Sequence, residues 1–139
     1  MFVSVVVNPA YARNLVVRVP AAAEWVDSGI DIAIGETVFL KARGMAITGP
    51  LKDYPLARSG PAGQVTTCVD DAVPGGVCVL SGVPFGALVG RIGVGGSPFL
   101  IGDAASFVSV SSGRLYLVVN DFIGEYADNQ AGFTVTFKD

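Results

Sequence analysis

The sequence predicts an all-β protein, an antiparallel β-sandwich of the jelly-roll or galactose-binding-domain-like kind. Three observations lead there. Short runs of alternating apolar and polar residues recur roughly every 8–12 residues, as sandwich strands do, and no long window carries a 3.6-residue period. Eighteen glycines and eight prolines cut the 139 residues into many short elements. Apolar residues make up 51% of the chain and charged ones 15%, which suits a turn-rich β core better than a helical or disordered chain. On length, residues 1–139 are expected to form a single domain with a self-sufficient core.

Residues 2–7 and 15–19 are rich in Val and read as two strands of a hairpin turned at Asn8-Pro9. Beyond Pro20 and a small-residue loop, Ile30, Ile32 and Ile34 alternate with Asp31 and Ala33, the pattern of a half-buried strand. Gly35-Glu36 then turns the chain into a strand over 37–43, predicted to pair with it as a second hairpin and to end at Gly44. From 48 to 84 the pattern is lost, apart from short strands expected over 64–69 and 77–80. A connection this long in a compact domain is more often functional than padding, and Asp53, Tyr54, Arg58 and Gln64 are its ligand-facing candidates. Cys68 and Cys78 flank the turn Pro74-Gly75-Gly76 and fit a disulfide staple, the alternative being two buried thiols. An apolar strand over 85–93 carries glycines where another backbone can approach closely, and short strands come next at 99–101 and 106–110. Finally Leu115, Leu117 and Val119 on one side of a loop, and Phe133, Val135 and Phe137 on the other, define two strongly alternating strands.

Composition removes several functions. The formal charge is −3 and the nine Lys and Arg residues are dispersed, so nucleic acid is not expected as a partner. Residues 72–90 carry no charge, yet Pro74, Gly75, Gly76, Gly82 and Pro84 break any helix there, so no transmembrane segment is expected. Residues 1–7 are too short for a signal peptide and lack its basic start, which leaves the localisation open, an extracellular or cell-surface role included. There is no His, which removes the commonest general base and every Ser-His or Cys-His nucleophile, and two cysteines alone cannot complete a zinc site. The chain is therefore not expected to be an enzyme.

What stands out is the loop from Asn120 to Asn129. Asp121 opens it and Asp128-Asn129 close it, so hard oxygen donors converge between two strands where a turn needs only one or two polar residues. Calcium asks for such donors, 6–8 oxygens at roughly 2.3–2.6 Å from carboxylates, side-chain amides and main-chain carbonyls. An ordinary Asp/Asn hairpin turn is the competing reading of the same residues.

Four stretches, taken together and in order, resemble the calcium-dependent, galactose-binding bacterial lectins of the LecA (PA-IL) family. They are Trp25-Val26-Asp27-Ser28-Gly29-Ile30; Lys41-Ala42-Arg43-Gly44 through Thr48-Gly49-Pro50; Gly86-Ala87-Leu88-Val89-Gly90-Arg91-Ile92-Gly93; and Leu115 through Phe133, with its Asn-Asp…Tyr-x-Asp-Asn-x-x-Gly-Phe core. The resemblance covers about 25–137. It implies one calcium held by the side chains of Asp121, Asp128 and Asn129 and by the backbone carbonyls of Glu125 and Thr48, with two sugar hydroxyls completing the shell. Asp121, Asp128 and Asn129 would also meet the sugar, Phe122 would border the pocket, and Gln64, in the poorly matched loop 51–84, is the candidate for the Gln with which the family contacts the sugar. Two departures are visible: the closing pair is Asp128-Asn129 rather than Asn-Asn, and the His that meets the sugar's primary hydroxyl is missing. The expected function is thus a calcium-dependent, galactose- or galactoside-binding lectin, presented as a homo-oligomer because multivalency strengthens weak sugar contacts. The alternative is a structural or assembly sandwich whose calcium only stabilises the loop.

Overall fold

The structure is a computed structural model that describes residues 13–139. The strand expected over 2–7, and its hairpin, lie outside the described residues. Eleven strands succeed one another among the described residues: β1 (Asn14–Pro20), β2 (Val26–Ile32), β3 (Thr37–Ile47), β4 (Arg58–Ser59), β5 (Thr67–Cys68), β6 (Val83–Pro84), β7 (Leu88–Ile92), β8 (Phe99–Leu100), β9 (Ala104–Val108), β10 (Gly113–Val119) and β11 (Gln130–Lys138). Among the described residues no helix is long and apolar enough to cross a membrane.

The strands build two antiparallel sheets packed as a sandwich, with β5 and β6 a separate ribbon. One sheet runs β1-β11-β3-β4, with β9 on the same edge of β3 as β4; the other runs β2-β10-β7-β8. The core lies between them. Phe133, Val135 and Phe137 of β11 are fully buried while Thr134 and Thr136 face outward, so the alternation of the sequence is the alternation of the sheet. Facing them across the sandwich are Ile30 and Ile32 of β2 and Leu115, Leu117 and Val119 of β10. Each such side chain contributes about 1.5–3 kcal/mol on burial, and cutting Phe133 to Ala would cost about 3–5 kcal/mol.

Strand β10 is also buried on its other face. Val118 packs there with Val89 and Tyr126 beneath Trp25, Val79 and Leu80. Arg91 lies over Trp25 at 4.1 Å from the ring centroid and over Tyr116 at 5.3 Å.

Several local expectations are corrected. The segments around Ile32 and Thr37 do not form a hairpin: β2 pairs with β10, β3 pairs with β11, and the turn at Gly35-Glu36 arches from one sheet to the other. Its ends are tied instead to Ser109, which exchanges backbone hydrogen bonds with Gly35 and Glu36 at 2.7 and 2.8 Å. Gly44 does not end β3, which runs on to Ile47; it sits where a Cβ would be 2.7 Å from the carbonyl oxygen of Gly132 on β11. The strand expected over 85–93 is only β7, because Gly86, at φ 81°, turns the chain just before it. The two short strands expected at 64–69 and 77–80 reduce to β5 and to a single bridge between Cys78 and Phe122.

Candidate functional site

The loop 120–129 joins β10 to β11 and so hangs from two strands that supply core side chains, one in each sheet. Its first residue is structural. Asn120 is wholly buried, its Nδ2 donating to the carbonyls of Leu80 (3.0 Å) and Pro84 (3.1 Å) while its Oδ1 accepts from the Leu80 amide at 2.9 Å. It clamps the turn after Cys78 against the end of β10.

Asp121 is next, and is 4% exposed. One carboxylate oxygen accepts from the Phe122 amide at 2.7 Å and the other from Asn129 Nδ2 at 2.8 Å. Among the described residues no Lys or Arg forms a salt bridge with it. Burial therefore pushes its carboxyl up to about 6, against the pull of the Asn129 and Phe122 hydrogen bonds and with further push from Asp128 and Glu125. Burial likewise raises the Tyr126 phenol, whose hydroxyl donates to the Val119 carbonyl at 2.6 Å.

Asn129 is the residue that makes the loop look chemical. Its Nδ2 donates both to Asp121 and, at 3.0 Å, to the carbonyl of Ala21, which fixes the amide's orientation. Its Oδ1 is buried and has no hydrogen-bond partner among the described residues. A buried acceptor without a partner costs about 1–3 kcal/mol, and here it stands beside a carboxylate without a cation. A hard cation answers both deficits.

The other expected donors lie at the same end of the molecule. Ile47, the residue before Thr48, pairs with Gln130, the residue after Asn129. The Thr48 amide donates to the Ala57 carbonyl at 2.9 Å, and its Oγ1 accepts from Gln64 Nε2 at 2.7 Å. Gln64 is itself buried, and its side chain holds Thr48. Glu125 and Asp128 lie exposed on the loop, in two tight turns closed by Glu125 N to Phe122 O and Asn129 N to Tyr126 O, both 3.1 Å. Among the described residues no three His, Cys, Asp or Glu side chains gather as a ready cluster. A site built on this loop would draw on carboxylate, amide and carbonyl oxygens, a mix that calcium accepts and zinc does not favour.

Phe122 is half-buried, edge-on to Phe85 with ring centroids 5.2 Å apart, and presses on Gly76, where a Cβ would be 2.8 Å from its ring. Beside it Cys68 and Cys78 are joined in a disulfide, which settles their two readings in favour of the staple. Four supports of this loop were not foreseen from sequence: the Asn120 clamp, the Ala21 carbonyl, Glu24, whose Oε1 accepts from the Gly124 amide at 2.7 Å, and Asp70, whose Oδ1 accepts from the Cys78 amide at 2.8 Å. The one signal for Asn120 was the pairing Asn120-Asp121 itself, two polar residues at the end of an apolar strand. Two surface grooves, of about 650 and 630 Å³, run along β9, away from the loop.

No protein-family model matches the chain, and no curated protein matches it. Among solved structures, one described as the EclA N-terminal domain, a PllA-like lectin, matches with a TM-score of 0.67 over 89% of this chain and 95% of that one, at 21% identity. The chain has a lectin-like β-sandwich fold.

Proposed function

We propose that the protein is a calcium-dependent lectin that binds galactose or galactosides without transforming them. The observation that carries this is the buried pair of Asp121, a carboxylate without a Lys or Arg partner, and Asn129, an amide oxygen without a hydrogen-bond partner, both among the described residues. Asp121, Asp128 and Asn129 through their side chains, and Glu125 and Thr48 through their carbonyls, would hold the ion. When bound, calcium supplies charge neutralisation and open positions that vicinal sugar hydroxyls fill in place of water. Asp121, Asp128 and Asn129 orient those hydroxyls by hydrogen bonds, and Phe122 supplies an apolar wall. Galactose is the sugar implied by the four stretches of sequence; Gln64, engaged with Thr48, takes part by fixing that donor. A homo-oligomer, and action outside the cell or at its surface, complete the proposal; a structural disulfide belongs in an oxidising compartment.

A glycan array read with calcium and again with chelator tests the reading. Galactosides should be retained only with calcium. A blank array from folded, calcium-loaded protein would leave a sandwich whose ion merely ties loop 120–129 to Thr48.

A further inference from the structure

We infer that the disulfide-anchored segment 77–80 is the positioning splint of the ion loop, so that the Cys68–Cys78 bridge sets calcium affinity; this rests on the calcium reading above. Two backbone hydrogen bonds bracket Phe122: Val79 N donates to Asp121 O at 3.0 Å, and Ile123 N donates to Val77 O at 2.8 Å. Between them Cys78 is bridged to Phe122. The main chain on both sides of Phe122, next to the Asp121 carboxylate, is thus held by residues on both sides of Cys78. Asn120 adds the third tie, to Leu80.

What keeps 77–80 in place is on its far side. Cys68 lies in β5, paired with Val83 of β6, and its carbonyl accepts from the Gly82 amide at 2.8 Å. The bridge from Cys68 to Cys78, the Asp70 carboxylate on the Cys78 amide and the backbone bond from Asp71 N to Gly76 O (2.8 Å) fold residues 68–78 into a closed loop. Outside that loop the segment has no regular strand neighbour among the described residues, only the bridge to Phe122. Both cysteines are buried, 0% and 5% exposed, so a reductant reaches the sulfurs only when the loop opens: the bridge acts as a fixed splint and not as a readily toggled switch. Supports one step removed from the ion's ligands typically change metal affinity about 10–100-fold when lost.

The test is calcium affinity by titration calorimetry on stripped protein, for the natural chain, the double variant Cys68→Ala/Cys78→Ala, and Arg13→Ala as a control. Arg13 belongs to an ion-pair cluster with Glu36 and Asp139, away from the loop, so its loss lowers the melting temperature without touching the splint. The double variant should bind calcium about tenfold or more weakly, and Arg13→Ala should bind as the natural chain does. A natural chain that binds no calcium overturns the ion reading and this inference together. A natural chain that binds, with a folded double variant of equal affinity, overturns this inference alone, as does an Arg13→Ala variant weakened as much as the double variant. If the double variant does not fold, Cys68→Val/Cys78→Ala, which removes the bridge but fills the buried position of Cys68, takes its place: a loss of about tenfold supports the splint, and natural affinity overturns it.

Discussion

Where β1 begins and β11 finishes, acids meet arginine. Arg13 donates to Asp139 at 2.8 Å and to Glu36, and Arg114 bridges Asp27 and Asp31 at 2.9 and 2.7 Å. Hydrogen bonding to the Glu36 carboxyl and to Arg13 holds the Asp139 carboxyl down at about 2, and Arg114 lowers both Asp27 and Asp31. At the far end of β11, about 27 Å along the strand, Asp121 is buried with no arginine partner among the described residues and is pushed up to about 6. One end uses carboxylates to close the sandwich, and those charges are compensated within the chain. The other keeps a buried carboxylate that nothing in the described chain neutralises, as a site for an external cation requires.

Removing the ion should show this contrast most strongly. At calcium about a hundredfold above its dissociation constant, binding contributes about 2.7 kcal/mol, so chelation should lower the melting temperature by about 8–10 °C. Asp121→Ala should abolish that sensitivity while Arg13→Ala keeps it. An unchanged melt on chelation would erase the difference between the two ends.

A smaller effect separates them by pH. In stripped protein the Asp121 carboxyl, at about 6 when folded against about 3.9 unfolded, holds its proton more tightly in the folded state. Its contribution is fully present below about pH 4 and is lost as pH rises through about 6, a loss of at most about 3 kcal/mol. Stripped protein should therefore melt lower at pH 7.5 than at pH 4.5, and Asp121→Asn should flatten that slope; an equal slope in both would place the titration elsewhere.

The Arg13 cluster runs the opposite way and is weaker, because its groups are partly exposed to solvent. Asp139 contributes above its unfolded value near 4, and that contribution is lost as pH falls through about 2. Arg13→Ala should cost about 1 kcal/mol or less near neutrality, and the gap to the natural chain should shrink in acid and in high salt. A gap that widens on acidification would contradict it.

The strands were legible because each carries its own alternation: Phe133, Val135 and Phe137 point inward whichever strand lies beside them. Sheet membership was not. The turn at Gly35-Glu36 has the residues of a hairpin, and only β10, about eighty residues later, claims β2 for the other sheet. The loop showed the same divide. Its oxygen donors Asp121, Asp128 and Asn129 could be read in place, whereas the Ala21 carbonyl that orients Asn129 lies 108 residues away, and no local pattern announces it. Asn120 had no role assigned from sequence and is a clamp, since its polar contacts are made to a turn that carries no periodic pattern of its own.

Trp25 is the only tryptophan in the chain, and it lies beneath Arg91 directly after Glu24, whose carboxylate caps the Gly124 amide of the loop. Intrinsic emission from this protein thus originates at one indole, one residue from a tether to the ion loop. If the loop takes up calcium as proposed, the ion should change that emission, and a titration on unlabelled material would read its binding without a dye.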